Sequence, residues 1–170
     1  MYEEKINAYF DAPERRAELV EAISRLVRIR SVREEPLPGM PFGPGPAAAL
    51  DELHNGKDFV AVHVEAPDEC THNGDLPGKL QAIEWLDSRV IGSITQALAD
   101  EGTDFRLLIL SDHKTLTATR GHDADPVPYL LYDSRKDTGL NLPYCEESGL
   151  KGTAYAAGAP VLMRKLFEQL

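Results

Sequence analysis

Five side chains in this 170-residue sequence have the types and spacing of metal ligands. Asp68 and His72 stand four apart, Asp112 and His113 are adjacent, and His122 follows in GHDADPVP. Carboxylate and imidazole donors in one set suit Mn2+ or Zn2+ better than Mg2+ or Ca2+, which favour all-oxygen shells. An apolar run precedes each pair: FVAVHVEA before Asp68 and LLIL before Asp112. In parallel α/β sheets the carboxyl ends of strands form the crevice that binds ligands. Strands over residues 59–65 and 105–110 would therefore deliver these donors to one place. A single DxxxH is a weak signal; a strand with DxxxH, a strand with DH and GH before PVP, in that order, are a stronger one. Cys70 lies between Asp68 and His72 as a soft donor, without the grouped partners of zinc–thiolate sites. Lys79 and Arg120 are near these donors in sequence and are candidates for contact with an anionic ligand. His63 alternates within its run and reads as structural, His54 as a loop residue, and Trp85 and Tyr129 as packing residues.

The elements that must position these donors follow from capping and periodicity. Asp11 reads as the N-cap of a helix to about residue 29, with Pro13 in its first turn and Glu14 three residues on. Residues 36–46, PLPGMPFGPGP, hold five Pro and three Gly and read as a loop or linker. A short helix can start at residues 47–53. Asp75 caps the next helix, with Pro77 in its first turn. That helix is predicted over 76–99, with Leu80, Ile83, Leu86, Val90, Ile94 and Leu98 as its buried stripe. Leu107 to Leu110 are consecutive apolar residues, the pattern of a strand buried on both faces of a parallel sheet. Residues 127–132 read as a third strand, 133–151 as turn-rich, and 160–170 as a closing helix. This spacing predicts an α/β fold with a mainly parallel sheet flanked by helices, behind an N-terminal helical segment. The divisions expected are 1–35, 36–56 and a metal-binding α/β domain over 57–170.

Composition narrows the partners. The net charge is −10. Residues 1–50 carry 7 basic and 8 acidic side chains, and 51–170 carry 11 and 20, so the second part holds −9 of it. All five His lie there too. Such a balance argues against nucleic acid, whose phosphates need clustered Lys and Arg, and suits a divalent cation. No apolar run is long enough for a membrane span. The acidic, charge-broken first residues do not read as a signal peptide. Two Cys without metal-type spacing point to a reducing cytoplasm.

Two resemblances join these signals. DFVAVHVEAPDECTHNGDLPGKLQAIEWLD, LLILSDHKT, GHDADPVPYLLYD and the tail GAPVLM resemble the C-terminal part of cofactor-independent phosphoglycerate mutases of the archaeal type, in the alkaline phosphatase superfamily. The resemblance covers about residues 57–170 and implies a partial alkaline phosphatase-like fold. It implies that Asp68, His72 and His122 hold one metal ion, Mn2+ first and Zn2+ or Mg2+ as alternatives. It implies that Asp112 and His113 help to hold a second. The activity implied is interconversion of 3- and 2-phosphoglycerate, a step of glycolysis, through a phosphorylated Ser. The family's D-G-x-x-D motif and its nucleophilic Ser are absent from this sequence, so no catalytic residue is assigned. Residues 10–52, with LVRIRSVREEPLPGMPFGPGPAAALDE, resemble the start of M20 dipeptidases, but the H-x-D zinc motif of that family is absent. The sequence thus reads as a fragment or fusion. A non-catalytic metal-binding domain and an M20 metallopeptidase-like fragment are the alternatives. A partial sheet would expose an edge and invite self-association.

Overall fold

The computed structural model describes residues 44–136, 139–152, 156 and 158–167. The helix expected over 11–29, and the start of the 36–46 linker, lie outside the described residues. The chain divides into two compact units, residues 1–97 and 98–170.

The first unit is helical where it is described. Helix α1 spans Pro44–His54. It starts earlier than the linker reading allows, because a proline in the first turn lacks only an N–H that has no intrahelical acceptor. Helix α2 spans Ala66–His72 and α3 spans Leu76–Trp85. Between them the chain reverses at Gly74, whose φ is 72°. There Gly74 N–H donates to Thr71 O at 2.9 Å and Asp75 N–H to Cys70 O at 2.8 Å. This is a Schellman closure with glycine at the left-handed position. Asp75 then caps α3 as expected, its Oδ1 accepting from Gly78 N at 2.9 Å.

A π-helical turn, Leu86–Ile91, interrupts the long helix, and α4 continues over Gly92–Asp100. The π turn has a physical reason. Ala82 and Val90 are buried, with Leu86 and Ile94 half-buried between and after them, so the inward face advances four residues at a time. Steps of four overshoot a 3.6-residue turn, and one wider turn takes up the drift. The expected stripe therefore holds only in part. Leu80 and Ile83 are 55% and 45% exposed, and Ala82 is the residue turned inward. Trp85 is half-buried, with the Arg89 guanidinium 4.5 Å from its ring centre.

Residues 59–65, expected as a strand, take no regular structure, and Val62 is 41% exposed. An apolar run becomes a strand only where a neighbour supplies N–H and C=O groups in register. Among the described residues, no strand lies in register beside this run.

The second unit holds the strands β1, Arg106–Leu110, β2, Lys114–Leu116, β3, Gly121–Asp123, and β4, Tyr129–Asp133. β1 pairs with β4 and β2 with β3, both antiparallel. The mix of helices and strands expected of an α/β chain is present, while parallel pairing does not occur among the described strands. A single 3-10 turn, Ser134–Lys136, follows β4. Helix α5, Glu146–Lys151, occupies part of the stretch expected as turns, and α6 spans Ala159–Phe167.

One charged cluster fastens this unit. Asp133 is 9% exposed. Its Oδ2 accepts from Arg106 Nε at 2.8 Å and from Arg135 Nη2 at 2.8 Å. Arg106 Nη1 also donates to Leu166 O at 3.0 Å, so the cluster ties β1 and β4 to α6. Arg135, with help from Arg106, holds the Asp133 carboxyl well below the usual carboxylate range, against an opposing push from burial.

A depressed folded-state value contributes stability above the ordinary aspartate pKa of about 4 and loses it as pH falls toward the folded value. Asp133→Asn should therefore lower the urea midpoint most above pH 5, with the gap to the native chain narrowing below about pH 4. A gap unchanged down to pH 2 would contradict this linkage. Gly74→Ala should cost about 1–2 kcal/mol in urea unfolding, since it forces a Cβ into the left-handed region. Asp75→Ala should cost about 1 kcal/mol through its lost cap.

Candidate metal centre

Asp68 and His72 lie in a helix, not past the end of a strand as expected. Pro67 opens α2 instead of ending a strand, and Asp68 and Glu69 follow it in the first turn, where the helix dipole favours acidic groups. Thr71 is 1% exposed, with Oγ1 donating to Pro67 O at 2.7 Å, so it fixes the inward face of the helix. Asp68 and His72 then sit one turn apart on another face, with His72 Nε2 3.3 Å from Asp68 Oδ2. Both remain partly open to solvent. Cys70 is a half-buried free thiol on the same helix. Lys79 is half-buried in α3.

The second unit assembles three of the expected residues around a hairpin. β1 ends at Leu110, and Ser111 leads to Asp112 and His113. Asp112 holds its neighbour twice: Oδ1 accepts from the His113 backbone N at 2.9 Å, and Oδ2 lies 3.2 Å from His113 Nε2. β2 and β3 pair with Thr115 opposite His122. This register stacks the His122 ring on the His113 ring, with centroids 3.7 Å apart and planes 28° from parallel. The hairpin is closed by Arg120, whose N–H donates to Leu116 O at 2.8 Å from a left-handed φ of 56°. Asp123 Oδ1 accepts from Asp125 N at 2.7 Å, and Lys114 Nζ lies 3.5 Å from Asp125 Oδ2.

Two other His stand apart in role. His63 is exposed, 3.6 Å from Glu65, so the expected structural place inside a strand gives way to a surface pair. His54 is exposed at the end of α1.

The donor chemistry fits a divalent ion. Asp68, His72 and His122 each offer one atom of the kind such ions take. Within each unit an imidazole nitrogen and a carboxylate oxygen are already 3.3 Å or 3.2 Å apart. Ligands bonded at about 2.1 Å to a tetrahedral or octahedral ion are separated by roughly 3.0–3.4 Å, so such a pair needs little movement to share one. Mixed N and O donors exclude neither Mn2+ nor Zn2+.

The sequence did not reveal the hairpin or Thr115. Strands of three residues are too short to show an alternating pattern. The usable signal was local: a Thr two residues after the candidate ligand His113.

Comparison with known proteins agrees with this chemistry. A family model described as the metalloenzyme superfamily matches residues 44–163. The 2,3-bisphosphoglycerate-independent phosphoglycerate mutase of Methanosarcina barkeri is 39% identical over 110 residues, 64% of this chain and 28% of that protein. The mutase numbered 2 of Methanothermobacter thermautotrophicus is 46% identical over 107 residues, 63% of this chain and 25% of that one. A probable mutase of Geobacter sulfurreducens is 40% identical over 102 residues, 59% of this chain and 25% of its own length. The chain thus spans about a quarter of the length of the curated relatives it matches. No solved structure matches. The M20 resemblance rests on residues 10–52, most of which lie outside the described residues, and it gains no support here. The match at 44–163 takes in both Asp–His pairs and His122, and the chain belongs to the metalloenzyme superfamily.

Proposed function

We propose that this chain is the metal-holding part of a 2,3-bisphosphoglycerate-independent phosphoglycerate mutase-like enzyme. The observation that carries this reading is the pair of Asp–His contacts, 3.3 Å and 3.2 Å, in a chain of the metalloenzyme superfamily. Asp68, His72 and His122 hold one divalent ion, and Asp112 and His113 contribute to a second. Mn2+ is the first choice, with Zn2+ or Mg2+ as alternatives. When bound, such ions stabilise the charge of a transferring phosphoryl group and orient it. The chain's own part is to place the carboxylates and imidazoles and to meet the phosphate of a phosphoglycerate. Lys79 and Arg120 are the cations proposed for that contact. The activity belongs to glycolysis and to the cytoplasm. Among the described residues no helix is long and apolar enough to cross a membrane, and an acidic chain suits no nucleic acid.

No residue of this chain is assigned as the nucleophile, since the family's nucleophilic Ser, like its D-G-x-x-D motif, has no counterpart in the sequence. That observation favours a second reading, a metal-binding domain without turnover of its own. Self-association belongs to either reading. β1 and β4 pair with each other, and among the described residues the outer edge of each strand meets no further strand.

The test is metal content after loading with Mn2+ and extensive dialysis, for the native chain and for Asp68→Ala. The native chain should retain Mn2+, and the variant should lose the ion of the first site. A native chain that retains none would sink the reading. Interconversion of 3- and 2-phosphoglycerate by the Mn2+-loaded chain separates the two readings. Turnover supports the mutase, and retained metal without turnover supports the binding domain.

A further inference from the structure

The His113 ring is restrained on three sides. Asp112 Oδ2 lies 3.2 Å from Nε2, and the His122 ring covers one face at 3.7 Å. The third restraint is Thr115, whose Oγ1 lies 3.2 Å from His113 Nδ1. Thr115 occupies β2 directly opposite His122, so one register fixes both the stacking ring and the hydroxyl.

We propose that Thr115 is a positioning residue for cation binding at His113: its hydroxyl holds the Nδ1 edge of the ring so that Nε2 and the Asp112 carboxylate face the same divalent ion. This rests on the reading of Asp112 and His113 as ligands.

The chemistry of a hydroxyl explains the choice of residue. A ligating Nε2 must be free of its proton, which leaves the proton on Nδ1. Without an ion, Nε2–H can donate to Asp112 and leave Nδ1 bare. A hydroxyl is both donor and acceptor. It serves Nδ1 in either tautomer, and the ring keeps its orientation with or without an ion. A carboxylate in this place would add a negative charge, and an amine or guanidinium could only donate. Partners of this kind, on the far nitrogen of a ligating His, change metal affinity through orientation and tautomer and not by contact with the ion.

The experiment uses Zn2+, a diamagnetic ion, titrated into the full chain and followed at the 15N resonances of the His113 ring. In the native chain Zn2+ should shift Nε2 and leave the proton on Nδ1. Thr115→Val keeps the branched shape that suits a strand and removes the hydroxyl. It should weaken binding at His113 by about 10- to 100-fold. Thr115→Ser should restore it to within a few-fold. Thr115→Ala, a second variant without the hydroxyl, should weaken binding as Val does, and urea midpoints confirm that each variant is folded. A valine variant with native affinity at His113, or an ion on Nδ1, overturns the proposal while leaving His113 a ligand. A native His113 ring that ignores Zn2+ overturns the ligand reading and this inference with it.

Discussion

The strand-bearing unit depends on the closure of β1 against β4. Five residue pairs form that ladder, from Arg106 opposite Asp133 to Leu110 opposite Tyr129. At its first rung Arg106 and Asp133 meet at 2.8 Å with little solvent around either side chain. Residues 111–128 leave and re-enter this ladder, and they carry Asp112, His113 and His122. β2 and β3 have three residues each, too few to hold a hairpin alone. The ladder fixes where the excursion begins and ends. Within it, the opposition of Thr115 and His122 sets the stack of the two imidazoles. Charge, register and donor placement are thus links of one chain of causes.

Each unit builds the same small motif by different means. In α2 the helical repeat brings Asp68 and His72 together from four residues apart. After β1, a tight turn does the same for adjacent Asp112 and His113, with the backbone N–H of His113 locking the carboxylate. In both, a carboxylate and an imidazole face each other at the separation neighbouring ligands keep around a small cation. Metal binding requires the imidazole lone pair, so protons compete for these donors and affinity must fall in acid. The surplus of carboxylates in residues 51–170 adds a favourable field for a cation.

The Asp68–His72 and Asp112–His113 pairings were legible in the sequence because they are carried by residue types at fixed spacings. So were the cap at Asp75, the strands near 106–110 and 129–133, and the closing helix from Ala159, where periodicity or capping is strong. Pro67 misled, because a proline that can end a strand can equally open a helix, and the spacing of Asp68 to His72 fits a helical turn better than a loop. Residues 59–65 misled because an apolar run states a preference for burial and not a partner. Leu107 to Leu110 suggested a parallel neighbour, yet β4 arrives antiparallel; strand direction is set by connection geometry that no local pattern records. Asp133 gave no signal either. A buried carboxylate is identified by the two arginines that reach it, and one of them is 27 residues away.

The role proposed for the chain's own His and Asp pairs is to gather a divalent ion. It is tested most directly by adding Mn2+ in small amounts and following the ring resonances of all five His by NMR, since a paramagnetic ion broadens nuclei close to it. His72, His113 and His122 should broaden well before one equivalent is reached, while His54 and His63 stay sharp as internal controls. Equal broadening of all five, or His63 broadening first beside Glu65, would mean that the ion meets only a diffuse acidic surface.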